Sequence, residues 1–278
     1  MRGAGPDHAQ AVPGKKIDLP VMPAQEGRSE SKSIILKNKK MDLVYILGSG
    51  SRWQNNEIRF SLRSVEAYLK HGAGRIFIVG SKPDWMQNVI HIEALDGYDN
   101  KLKNAVHKLR EACFDSRLSD EFILMNDDFF FLKPADHIPL YTLGSINEMI
   151  VNHSTKGGYY YEAMHTTRTV LQEAGITDPI SYEVHFPMVL KKDLFLKMTD
   201  SIKWEETGYL FRSIYGNVYN LGGKRRRDCK AYSFNDFKIL STKSELLSTS
   251  DHVALCPQFQ EWMRKKYPKP SQYENDHQ

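Results

Sequence analysis

Asn126, Asp127 and Asp128 break an apolar run that starts at Phe122 and resumes with Phe129, Phe130, Phe131 and Leu132. Adjacent carboxylates set in apolar surroundings repel each other and lose hydration. A divalent cation relieves both costs, so the pair reads as a site for Mg²⁺ or Mn²⁺. The same three residues also suit a polar turn between two hairpin strands, and the stretch alone does not choose between these readings. The run before them is short and unbroken, as in a strand buried on both faces of a parallel sheet. Acids at the C-terminal end of such a strand stand where α/β sheets present their ligands.

Further candidates lie upstream. Asp42-Leu-Val-Tyr-Ile-Leu47 is a β-branched, apolar strand that runs into Gly48-Ser-Gly-Ser51. Bare backbone N–H groups at Gly48 and Gly50 could cradle a phosphate, although such a stretch is also an ordinary loop. Trp53 could stack on a nucleotide base or cover the sheet edge, and the packing role is the preferred reading. Asn55-Asn-Glu57 predicts a helix start, with asparagine as the cap and Glu57 at the positive end of the dipole. Ile58, Leu62, Val65 and Leu69 recur at helical spacing and form its buried face. Arg59 and Arg63 share another face, either as a solvated pair or in a structural or phosphate-facing role.

These pieces need a scaffold. Arg75-Ile-Phe-Ile-Val79 predicts a second buried strand, and residues 89–92 a short third one. Strand, helix and strand at this spacing make a right-handed βαβ unit with parallel strands. Residues 99–114 predict a helix striped by Leu102, Val106, Leu109 and Cys113. Its polar opening includes Asn104, placed to meet a phosphate near the helix N-terminus. The expected class is therefore α/β, a mainly parallel sheet flanked by helices. After Pro134 the pattern loosens. Residues 153–161 read as a loop, 166–174 as a short helix, 181–187 as extended, 191–198 and 205–215 as helices, and 257–267 as a closing helix. The basic run Gly222-Gly-Lys-Arg-Arg-Arg227 reads chiefly as a solvated face.

The chain has 278 residues and a net charge of +4, with 38 basic against 34 acidic residues. That excess is too small to argue for nucleic acid as a partner. No window approaches the ~20 apolar residues of a membrane helix, which leaves peripheral contact with a membrane surface open. Cys113, Cys229 and Cys256 form no disulfide or metal pattern, which points to a reducing, cytoplasmic setting. Residues 1–40 are rich in Pro, Gly, Ser and charge and read as a disordered extension, with Met41 as a candidate alternative start. Residues 41–268 are expected to form a single domain, and 269–278 a flexible tail.

Four separated motifs resemble the Stealth family of sugar-phosphate transferases. Asp42-Leu-Val-Tyr45 resembles the family's first block. Asn56-Glu-Ile-Arg-Phe-Ser-Leu-Arg-Ser-Val-Glu66, the strand at 75–79, Pro83-Asp-Trp85 and the acidic strand end at 122–132 are similar to its second. Val184-His-Phe-Pro187 is similar to the His-x-Pro of the third. Arg212-Ser213 and Phe234-Asn-Asp236 resemble the end of that block and the fourth. The first block departs from the pattern, because Ser51 stands near where an acid is expected; Asp42 or another carboxylate is then the candidate substitute.

The resemblance implies a Rossmann-like, glycosyltransferase-A-type core, a nucleotide-sugar donor and a glycan or other hydroxyl acceptor. It implies a cation held by Asp127 and Asp128. It also implies His185 as the base that takes the acceptor's proton, and Arg212 as the arginine facing the transferred phosphoryl group, with Arg63 second. Gly48, Gly50, Arg59, Arg63, Asn104, Asn235 and Asp236 are the candidate donor-binding residues. Attack at the β-phosphorus would move sugar-1-phosphate, and attack at the anomeric carbon would move the sugar alone. The resemblance favours the first. A non-catalytic glycan- or nucleotide-binding relative is the alternative that Ser51 raises.

Overall fold

A computed structural model describes residues 18–22, 34–35, 40–70, 72–153 and 157–275. Its centre is a five-stranded sheet in the order Met188–Lys191, Glu121–Met125, Asp42–Leu47, Ile76–Gly80, Ile90–Ile92. Four neighbouring strands are parallel, and Met188–Lys191 joins the edge antiparallel to Glu121–Met125. The expected α/β class is what the structure has.

Strand alternation explains the layers. Leu43, Tyr45, Ile76, Ile78, Ile123 and Met125 point to one face, where Ile58, Leu62 and Val65 of the helix Asn56–Tyr68, with Leu69 just past its end, cover them. Val44, Phe77, Val79, Phe122 and Leu124 point to the other face. Val106, Leu109 and Cys113 of the helix Lys101–Phe114 cover them there, with Phe195 and Met198 of Lys192–Asp200. Phe122 and Leu124 are fully buried, and truncating either to Ala should cost about 2–5 kcal/mol. Gly80 sits at φ +108°, and a Cβ there would lie 2.1 Å from the Leu47 carbonyl, so only glycine lets the two strand ends approach this closely.

The chain leaves the sheet through the acidic turn. Phe129 N–H bonds to the Asn126 carbonyl at 3.2 Å. Phe130–Phe131 then pairs antiparallel with Leu246–Thr249, which pairs parallel with Lys230–Ala231. Asn126–Asp128 is thus a turn, but it links two different sheets and closes no hairpin. Buried serines pin its far side. Ser61 Oγ donates to the Phe129 carbonyl at 2.7 Å, and Phe131 N–H donates to Ser64 Oγ at 3.0 Å.

Several boundaries differ from expectation. The loop read at 153–161 gives way to a helix at Tyr159–Glu173, longer than the one expected at 166–174. The helix expected at 205–215 is instead Phe211–Val218. Asn55 is the residue before the first helix, yet it sits at φ 58° and makes no side-chain cap. Part of the extension read as disordered is packed. Leu19 is buried among the core residues, Met22 N–H bonds to the Val218 carbonyl at 2.9 Å, and Ile34–Ile35 pairs with His137–Ile138. Residues 1–17, 23–33 and 36–39 lie outside the described residues, as do 276–278. The tail expected to be flexible is held as far as residue 275, because Arg63 forms a bidentate pair with buried Glu274 at 2.7 and 2.6 Å. No helix among the described residues is long and apolar enough to cross a membrane.

Candidate active site

Asp127 and Asp128 end the buried strand Glu121–Met125 at the C-terminal edge of the sheet. Asp128 is buried and receives three donors on one oxygen: Ser248 Oγ at 2.6 Å, Thr249 N–H at 3.3 Å and Lys230 Nζ at 3.4 Å. All three partners come from the second sheet, which explains why no motif contains them. Asp127 is half-buried. Desolvation, then the charges of Asp128 and Glu57, push its pKa up to about 7. Burial also raises Glu57, helped by the charges of Asp251 and Asp128. Burial alone would lower Lys230, but the charge and hydrogen bond of Asp128, with the charges of Tyr232 and Asp228, together outweigh it and leave the ammonium above the ordinary lysine value.

Glu57 is a member that sequence reasoning missed. It was read as a helix-dipole residue, yet Ser51 Oγ donates to its Oε2 at 2.8 Å. A carboxylate therefore stands beside Ser51, where the Stealth-like pattern expects an acid. Asp42 does not serve in its place. It lies at the opposite end of its strand, held by Arg75 at 2.7 Å and by Ser119.

His185 reaches the same edge because Met188–Lys191 runs antiparallel to Glu121–Met125, which sends the preceding residues towards the acidic turn. Its Nδ1 lies 2.7 Å from Asp228 Oδ2, and its backbone N–H donates to Asp228 Oδ1 at 2.9 Å. Burial would raise Asp228, but the hydrogen bond and charge of His185 outweigh it and hold the carboxyl below its ordinary value. An ionised carboxylate only accepts, so Nδ1 is the donor to Asp228 and Nε2 is the nitrogen left for a second partner. Asp228 was also missed. It follows the basic run directly, 43 residues from His185 in sequence, and no spacing rule joins the two.

Arg212 is buried beside these groups. It donates to the Phe186 carbonyl at 2.8 Å and to Asn126 Oδ1 at 3.1 Å. Burial lowers its pKa, opposed by the charges of Glu183, Asp128 and Asp228. In this arrangement it braces the His185 loop against the acidic turn, which makes it a positioning residue.

Other candidates are employed elsewhere. Arg63 is committed to Glu274; Arg59 lies 3.6 Å from the same carboxylate and stacks over Trp85 at 4.3 Å. Both hold the C-terminal segment in place, the structural role that the sequence leaves open beside donor binding. Asn104 spans the Tyr98 backbone, accepting from its N–H at 2.9 Å and donating to its carbonyl at 2.8 Å. Asp236 completes a capping box with Ser233, which holds its carboxyl below the ordinary value, and Asn235 is exposed on that first turn. Gly48 and Gly50 are exposed in the loop that leads to Ser51. Two of the four cations in the basic run are paired, Arg225 with Glu148 at 2.7 Å and Arg226 with Glu245 at 2.5 Å.

The acids suit a hard cation in one respect. Asp127, Asp128 and Glu57 stand close enough to raise one another, a repulsion that a cation would relieve, and the hydrogen bonds to Asp128 all fall on Oδ2. Among the described residues, however, no three His, Cys, Asp or Glu side chains are grouped to hold a metal ion by themselves. A site of this kind fits a cation carried by one or two carboxylates and a substrate phosphate, the usual arrangement for Mg²⁺.

No family model matches the sequence, and no curated protein matches it. Among solved structures, the chain is similar to the galactosyltransferase LgtC in complex with donor and acceptor sugar analogues, at 11% identity and a TM-score of 0.43, over 80% of this chain and 83% of that one. It is similar to the bifunctional glycosyltransferase WbbM, at 12% identity and a TM-score of 0.45, over 83% of this chain and 52% of that one. It is also similar to mouse xyloside xylosyltransferase 1, at 10% identity and a TM-score of 0.37, over 75% of this chain and 97% of that one.

Proposed function

We propose that this protein is a nucleotide-sugar-dependent transferase that moves sugar-1-phosphate to a hydroxyl of a glycan-type acceptor. The observation that carries the reading is the His185–Asp228 pair at 2.7 Å beside the Asp127–Asp128 turn. It supplies an oriented base next to a cluster of acids, the two parts that phosphoryl transfer to a hydroxyl requires.

In this reading the acceptor oxygen forms its bond to the donor's β-phosphorus. The bond from that phosphorus to the nucleotide's bridging oxygen breaks, and nucleoside monophosphate leaves. The acceptor's proton passes to His185 Nε2, and Asp228 stabilises the imidazolium. Asp127 and Asp128 would hold Mg²⁺ or Mn²⁺, which when bound offsets negative charge on the donor's phosphates. Arg212 keeps the His185 loop and Asn126 in register. Glu57, hydrogen-bonded to Ser51, adds the carboxylate that the first motif lacks.

The test is to incubate the protein with UDP- and CMP-type sugar donors, a glycan acceptor and Mn²⁺, and to identify the released nucleotide. Sugar-phosphate transfer from a diphosphate donor releases a nucleoside monophosphate; release of the diphosphate would mean transfer of the sugar alone. Turnover that persists in the Asp127→Ala, Asp128→Ala double variant would overturn the acidic assignment. Donor binding that is equal in wild type and His185→Ala, with no turnover in either, would favour a non-catalytic binding protein.

A further inference from the structure

Lys230 is held firmly by its backbone and loosely at its tip. Its strand is paired with Leu246–Thr249, and the next residue, Ala231, is fully buried. The ammonium, 21% exposed as a side chain, meets Asp128 Oδ2 at 3.4 Å. That is long for a charge-assisted hydrogen bond, which is ordinarily about 2.7–2.9 Å. Ser248 already takes the same oxygen at 2.6 Å. Lys230 is therefore a loosely seated counter-ion on a flexible stem, unlike the tight bidentate pair of Arg63 with Glu274.

We propose that Lys230 is an exchangeable counter-ion. It neutralises Asp128 while the site is empty, and it moves to the donor's phosphate when a divalent cation takes Asp128. This deepens the transferase reading above and rests on it. The argument is one of charge. A divalent cation on Asp128 would stand next to the ammonium and repel it. A phosphate arriving with that cation brings the negative charge to receive it. Asp228 lies on the same strand approach and Tyr232 two residues beyond, so the tip stays among polar groups as it swings. The lysine stem needs only a change of side-chain torsion, since its backbone is fixed by the sheet.

The experiment compares wild type with Lys230→Met and Lys230→Arg. Mn²⁺ binding without nucleotide is followed by electron paramagnetic resonance. Binding of UDP, GDP, CDP and CMP in saturating Mn²⁺ is followed by calorimetry. Lys230→Met should bind Mn²⁺ several-fold tighter, because the competitor is gone, and should bind the preferred nucleotide about tenfold more weakly, because a charged contact to phosphate is lost. Lys230→Arg should bind Mn²⁺ more weakly than wild type, because a guanidinium can grip Asp128 with two donors. Circular dichroism reports folding, and the arginine variant decides the matter if the methionine variant does not fold. Unchanged Mn²⁺ affinity in the folded variants would overturn the exchange, whether or not nucleotide binding falls. A wild type that binds Mn²⁺ but none of the nucleotides would overturn the transferase reading and the exchange with it.

Discussion

Replacing Asp127 by Asn should stabilise the metal-free protein, and by an amount that depends on pH. The Asp127 carboxyl is raised from an ordinary 3.8 to about 7 by burial and by the charges of Asp128 and Glu57. An acid raised in this way holds its proton better in the folded chain. Between 3.8 and about 7 the folded state therefore binds more protons than the unfolded state, and stability falls as pH rises through that window. At about 1.4 kcal/mol for each tenfold change in proton affinity, the full displacement corresponds to at most about 4 kcal/mol. Asp127 is only half-buried and shares its repulsion with Asp128, so about 2 kcal/mol is the expected gain. Urea denaturation of wild type and Asp127→Asn, with EDTA present, should show little difference at pH 4 and the full gain at pH 8. Added Mn²⁺ should stabilise the wild type more than the variant. A gain that is equal at both pH values, or a loss at pH 8, would refute the account of a like-charge pocket.

Asp228→Asn should leave the fold intact and lower kcat by about 10²–10³, because the imidazolium loses its carboxylate and the tautomer is no longer enforced; steady-state kinetics on the identified donor checks this. Arg63→Ala removes the bidentate partner of buried Glu274 and leaves it only Arg59 at 3.6 Å and the Ser271 donors, so it should cost about 2 kcal/mol by denaturant titration while donor affinity stays at the wild-type level. Gly216→Ala should destabilise the helix Phe211–Val218 and loosen Arg212, since its Cβ would come within 2.5 Å of the Tyr182 ring; a lowered thermal midpoint checks the clash.

Much of the architecture was legible because it follows from local periodicity. Unbroken β-branched runs at 42–47 and 76–79 read as buried strands, and they are. The 3.6-residue spacing of Ile58, Leu62, Val65 and Leu69 predicted both a helix and the face it buries. Errors came where local chemistry lost to distant packing. Arg59 and Arg63 have the look of anion binders on the sequence, but Glu274 lies 211 residues from Arg63 and no local rule links them. Phe234-Asn-Asp236 echoes Asn126-Asp-Asp128, yet Ser233 stands at the right offset to make Asp236 a helix cap, a signal that could have been read. The stretch at 181–187, read as extended, instead bends at 185–186, where Phe186 N–H bonds to the Val184 carbonyl at 2.7 Å, and its direction along the sheet edge was not legible either.

The residue types that carry chemistry were visible without coordinates: two adjacent acids at a buried strand end and a histidine before Phe186-Pro187. What they face was decided only in three dimensions. An antiparallel edge strand delivers His185 to the turn, the second sheet delivers Lys230 and Ser248 to Asp128, and Ser51 meets Glu57 across the start of a helix. Strand and helix periods are properties of neighbouring residues, whereas the charge balance of a site is set by side chains that meet only when separate sheets pack.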